Sequence, residues 1–148
     1  MNRFVILGGG TAGWLSALTI NKLVPYSDVT VISSEDIGII GAGEGTTPGF
    51  KELMNRLDIP VEGIYKHAKA TTKAGINYVN WHGDGTSYIH PFWYDQTALH
   101  FDASLLATHL KSIALSRGIK NIDGIVAKIN SKSYNDDIES FDLESGEN

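Results

Sequence analysis

Phe4-Val5-Ile6-Leu7 runs without a break into Gly8-Gly9-Gly10-Thr11-Ala12-Gly13, and this junction decides the fold. A short continuous apolar run closed by glycines reads as a strand. The spacing of Ala12, Leu15, Leu18 and Leu23 then predicts a helix limited by Pro25. Val29 to Ile32 is a second β-branched run, so the amino-terminal segment predicts a βαβ unit with parallel strands. Within it Gly8, Gly10 and Gly13 have dinucleotide-binding spacing: a tight turn, a close approach of backbone to pyrophosphate, and a helix packed on its strand. Thr11 and Ala12 open that helix, whose unpaired amides and positive dipole end suit phosphate. The adenosine ribose is usually met by an acid at the end of the second strand. Here Ser33-Ser34 ends the strand and Glu35-Asp36 follows, so the partner is a serine hydroxyl, with Ser34 the candidate, or a loop carboxylate. This turn alone does not separate FAD from NAD.

Further along, Gly41-Ala42-Gly43-Glu44-Gly45-Thr46-Thr47 leads into Pro48 and predicts a helix to about Asp58 with Thr47 as its N-cap. Pro60 starts a short turn, and Lys73 to Trp81 and Ser87 to Tyr94 read as extended. Asp102 caps a helix with Leu106, Leu110, Ile113 and Ala114 on its inner face and Gly118 at its end. Ile125 to Ile129 and Ile138 to Leu143 alternate around a polar turn at Asn135-Asp136-Asp137, which predicts a hairpin. The expected fold is therefore α/β, a Rossmann-like dinucleotide-binding domain with a parallel sheet plus an antiparallel hairpin. Ser145 to Asn148 has the composition of a turn, so the expectation is an incomplete single domain over 1–148.

Composition narrows the function. With 12 Lys plus Arg against 17 Asp plus Glu, the net charge of −5 disfavours nucleic acid and anionic membrane surfaces as partners. The absence of cysteine excludes disulfides and thiolate metal sites, and His67, His82, His90, His100 and His109 show no zinc-type spacing, so no metal is expected. Without a signal-like start, a cytoplasmic setting is the default expectation. Neither a Gly-x-Ser-x-Gly nor a Gly-Lys-Thr/Ser loop occurs.

Three ordered motifs resemble the flavin-dependent tryptophan halogenases. Gly8 to Gly13 followed by Trp14 is similar to that family's amino-terminal FAD motif, and Gly41 to Pro48 is similar to its second motif, usually GVGEATIP. Lys73-Ala74-Gly75-Ile76, with Trp81 beyond, resembles the segment bearing the catalytic lysine. The resemblance implies halogenation of an aromatic substrate such as tryptophan, using FADH2, oxygen and halide, with hypohalous acid directed by Lys73. It assigns Gly8, Gly10, Thr11, Ala12, Gly13, Glu44 and Gly45 to FAD, with Ser34 kept as the ribose candidate from its place at the strand end, and His90 and Phe92 to the substrate. A separate flavin reductase or a complementary chain is the implied partner. Departures are the family's glutamate at the place of Ser33 and its alanine at the place of Gly45; the W-x-W-x-I-P motif and the distal glutamate do not occur in these residues. A non-catalytic FAD- or NAD-binding module is the alternative. An NAD-dependent reductase is a third reading, and it gives Lys73 no role.

Overall fold

The computed structural model describes residues 2–39, 41, 43–93, 96–131 and 138–144. Ala42, Tyr94, the turn at Asn135-Asp136-Asp137 and the ending Ser145 to Asn148 lie outside the described residues. In chain order the elements are β1 (Arg3–Leu7), α1 (Thr11–Leu23), β2 (Asp28–Ser33), α2 (Gly49–Arg56), α3 (Val61–His67), β3 (Thr71–Lys73), β4 (Gly75–Val79), β5 (Ser87–Pro91), β6 (Ala98–His100), α4 (Ala103–Ser116), β7 (Lys120–Asp123), β8 (Val126–Ser131) and β9 (Ile138–Leu143). Met1–Ile40 with Leu110–Asn148 forms one compact unit and Gly41–His109 the other.

The first unit holds a parallel sheet in the order β1-β2-β7, with Leu7 beside Ile32 and Ile32 beside Ile122. Strand β2 is central, and Val29, Val31 and Ile32 are buried as a parallel strand between two neighbours requires. Helix α1 packs on β1 and β2 through Trp14, Ala17 and Leu18. This corrects the expected face: Ala12 is exposed and Leu23 is 72% exposed, because the i, i+3, i+4 stripe is centred on Trp14. Strand β7, which the alternation pattern did not show, supplies the third parallel strand, and β8 and β9 form the expected antiparallel hairpin. The α/β class with a parallel sheet plus a hairpin is thus the one observed.

In the second unit Met54, Leu57, Ile59, Ile64, Ala68, Leu99 and Phe101 make the core. Pro60 opens a helix, α3, rather than an isolated turn. Thr47 does not cap α2 with its side chain; Pro48 occupies the N-cap position, and the Phe50 amide donates to the Thr47 carbonyl at 3.1 Å. The segment expected to be extended from Lys73 to Trp81 divides at Ala74, because β3 pairs antiparallel with β6 whereas β4 pairs antiparallel with β5. Helix α4 begins as expected, with the Asp102 carboxylate accepting the Leu105 amide at 2.9 Å. It buries Leu106, Leu110 and Ala114, and Ile113 is half-buried. His67 stacks on His109 with centroids 4.7 Å apart, and burial first, then the neighbouring His67 charge, hold His109 below the ordinary imidazole value.

Candidate active site

At the Gly8–Gly13 turn the Gly8 amide donates to the Ile32 carbonyl at 2.8 Å, tying the turn to β2, and Gly8 adopts φ +111°, a conformation open to glycine. A Cβ on Gly13 would collide with the Gly8 carbonyl oxygen and stand 3.0 Å from its carbon, so glycine lets α1 start directly against the strand end. The first intrahelical donor is Trp14, bonded to the Gly10 carbonyl at 3.2 Å. The amides of Thr11, Ala12 and Gly13 precede it, and no side chain caps the helix. A Cβ on Gly10 would meet nothing within 4 Å. Open backbone and three donors with no partner among the described residues, at a helix start, are the form an anion cradle takes.

The strand end beside this turn differs from a ribose-binding acid. A Cβ on Gly9 would stand 2.5 Å from the Ser33 Cβ, and the Ser33 hydroxyl accepts from the Asn121 side-chain Nδ2 at 3.1 Å, so Ser33 is packed beneath the turn. Ser34 accepts the Ile37 amide at 3.4 Å within its own loop. Glu35 forms an exposed pair with Lys111 at 3.4 Å. A further carboxylate at this strand end, not singled out by the sequence, is Asp123, opposite Ser33 in register and accepting the Glu35 amide at 3.0 Å. Only knowledge that β7 lies beside β2 singles it out.

The second glycine motif builds a different structure. Glu44 to Thr46 runs as a strap along one edge of β6: the Phe101 amide donates to the Glu44 carbonyl at 2.9 Å, and the Thr46 amide donates to the Leu99 carbonyl at 2.8 Å. Gly45 stands opposite His100 in this antiparallel contact. The other edge of β6 holds β3, with Lys73 opposite Ala98. The Lys73 stem crosses over β6 above the small Ala98, and its Nζ donates to the Thr46 carbonyl at 3.3 Å. A Cβ on Gly45 would lie 3.6 Å from that Nζ and 3.3 Å from the His100 Nδ1, so the glycine leaves room beside the strap for both groups.

Lys73 Nζ also lies 5.8 Å from the centroid of the Phe92 ring, within cation–π range. Phe92 meets His90 edge-on at 6.4 Å, and both follow the Lys73 segment because β5 pairs with β4. His90 is exposed and Phe92 half-buried. The lysine, the strap residues Glu44 and Gly45 and the ring pair His90–Phe92 therefore fall within one unit, with the Glu44 side chain exposed; Gly8, Gly10, Thr11, Ala12, Gly13 and Ser34 fall in the other. Among the described residues no group of three or more metal-ligating side chains occurs, and no helix is long and apolar enough to cross a membrane.

Comparison with known proteins bears on the same motifs. Tryptophan 7-halogenase RebH of Lentzea aerocolonigenes is 35% identical over 91 residues, 59% of this chain and 17% of that protein. Tryptophan 7-halogenase KtzQ of Kutzneria sp. (strain 744) is 40% identical over 89 residues, 57% of this chain and 17% of that protein. The structure of Xcc4156, a flavin-dependent halogenase from Xanthomonas campestris, superposes with a TM-score of 0.88 at 25% identity, covering 99% of this chain and 40% of that one. The chain thus spans under a fifth of the length of these curated relatives. The family profile for tryptophan halogenases matches residues 3–97 and 94–148, taking in both glycine motifs, the lysine strand and the hairpin; the chain belongs to the tryptophan halogenase family.

Proposed function

We propose that this chain carries the cofactor-phosphate turn and the catalytic lysine of a flavin-dependent halogenase acting on an aromatic substrate such as tryptophan, within one FAD-binding domain. The residues fit the cofactor's pyrophosphate: the open face of Gly10 admits it, and the amides of Thr11, Ala12 and Gly13 are aimed to receive its charge. Bound as FADH2, the cofactor would supply, with oxygen and halide, the two-electron chemistry that yields hypohalous acid and water.

The observation that carries the reading is the Lys73 amine, held against the Thr46 carbonyl with the Phe92 ring on another side. A lysine ammonium is a compact charge with three donors, of which Thr46 takes one. The others can donate to the oxygen of hypohalous acid and polarise its bond to halogen. The arene then attacks the halogen, the ring loses its proton, and the oxygen leaves as water. A neutral Lys73 amine would instead accept the halogen itself and pass it on as a haloamine. His90 and Phe92 supply aromatic surface beside the lysine against which an indole-like ring could stack.

The test uses the full-length protein with FADH2, oxygen and halide. Lys73→Ala should reduce arene halogenation to the uncatalysed background while flavin affinity stays within about twofold, because no flavin contact is assigned to that amine. Turnover by Lys73→Ala equal to that of the parent rejects the assignment.

A further inference from the structure

An ordinary antiparallel ladder would pair Thr46 with Leu99 by two backbone bonds, amide to carbonyl in each direction. Only one of these forms. The Thr46 amide donates to the Leu99 carbonyl at 2.8 Å, but the Leu99 amide donates to the Thr46 hydroxyl oxygen at 2.9 Å. The hydroxyl in turn points its proton toward the Leu99 carbonyl at 3.5 Å. Its oxygen therefore stands in for the carbonyl of its own residue. The carbonyl released by that substitution is the one that accepts from Lys73 Nζ at 3.3 Å.

We propose that Thr46 is a positioning residue for Lys73: its hydroxyl satisfies the Leu99 amide so that its carbonyl is free to hold the lysine amine. The chemistry at stake is the lysine-directed halogen transfer proposed above, and on that reading the consequence for turnover rests. The hydrogen-bond exchange itself does not depend on it. A buried amide does not go unpaired when an acceptor lies within reach. With the hydroxyl removed, the Leu99 amide turns to the carbonyl, the regular ladder forms, and Lys73 loses its acceptor. Thr46 and Leu99 are 53 residues apart, so neither residue carries this role in its local sequence.

Thr46→Val keeps the β-branched shape and deletes the hydroxyl, whereas Thr46→Ser keeps the hydroxyl. In the full-length protein, the rate at which Lys73 is acylated by an amine-selective reagent should rise about three- to tenfold in Thr46→Val, the equivalent of one released hydrogen bond. In Thr46→Ser it should stay within about twofold of the parent. Hydrogen exchange at the Leu99 amide should remain protected in both, since an acceptor is present in each. For halogenation, Thr46→Val should lower kcat about tenfold with little change in the arene KM, and Thr46→Ser should restore it. Acylation of Lys73 at the parental rate in Thr46→Val overturns the proposal. So does a serine variant that behaves like valine. If Lys73→Ala retains halogenation, the functional reading falls while the acylation measurement still decides the role of Thr46.

Discussion

Replacing Gly13 and Gly10 separately by alanine tests the phosphate turn, because the two positions fail for different reasons. A methyl at Gly13 would strike the Gly8 carbonyl, standing 3.0 Å from its carbon where about 3.5–4.0 Å is comfortable. The start of α1 must retreat by about 1 Å, which stretches an amide–phosphate bond from about 2.9 Å to a length that no longer counts as one. With charge-assisted bonds worth about 1.5–3 kcal/mol each, losing one raises the FAD dissociation constant by about 10- to 150-fold. The same collision should cost about 1–3 kcal/mol of stability. At Gly10 a methyl meets nothing within 4 Å, so Gly10→Ala should change stability by less than about 1 kcal/mol. It occupies the open face over which the pyrophosphate must pass, and should weaken FAD binding by at least about tenfold. Calorimetric titration with FAD and urea unfolding of the full-length protein give both numbers. Parental FAD affinity in Gly10→Ala would refute the assignment of the cofactor to this turn.

Two other perturbations probe the second unit. Ala98→Leu inserts three carbons at a fully buried site directly opposite Lys73, and should cost about 1–3 kcal/mol in urea unfolding while displacing the lysine stem. Halogenation measured where the variant is still folded should fall at least tenfold, and unchanged turnover would mean that the stem does not depend on that space. Burial and His67 hold the folded His109 below the value of about 6.5 that it regains on unfolding. The unfolded chain then binds the proton more readily, so stability is lost as pH falls through about 6.5 toward the lower folded value. Urea midpoints between pH 8 and 5 should decline less steeply for His109→Gln than for the parent, and parallel declines would remove His109 as the cause.

Which features could be read in advance follows from where their stabilisation arises. The βαβ opening was legible because Phe4 to Leu7, the Gly8–Gly13 turn and Val29 to Ile32 each declare themselves within a few residues. Asp102 and the Leu106–Leu110–Ala114 stripe announce α4 in the same local way, and the structure confirms the Asp102 cap. Strands β6 and β7 are short, with three and four residues, and owe their identity to partners elsewhere in the chain. Their contributions were therefore hidden: Ala98 beneath the lysine stem, His100 beside Gly45, and Asp123 at the sheet end. The face of α1 was misread for another reason. Trp14 entered as part of a family signature, although it is also the largest of the fully buried side chains of that helix.

The two glycine motifs look alike in sequence but use glycine differently. In the first, Gly8 takes a positive φ and Gly13 allows helix and strand to touch, so backbone amides are left facing outward at a helix start. In the second, the Glu44–Thr46 strap is extended and bonded to β6, and its amide at Thr46 is already spent on Leu99. That strap is not a second phosphate cradle; its value to the site is the single carbonyl at Thr46 and the missing side chain at Gly45. A methyl at Gly45 would sit at ordinary contact distance from Lys73 Nζ and slightly tight against His100, so the ring must give by a few tenths of an ångström. The family's usual alanine is compatible with such a strap, and glycine here spares the His100 ring that adjustment. The chemistry of the strap thus resides in the lysine it holds, and its glycine leaves the His100 ring undisplaced beside the strap.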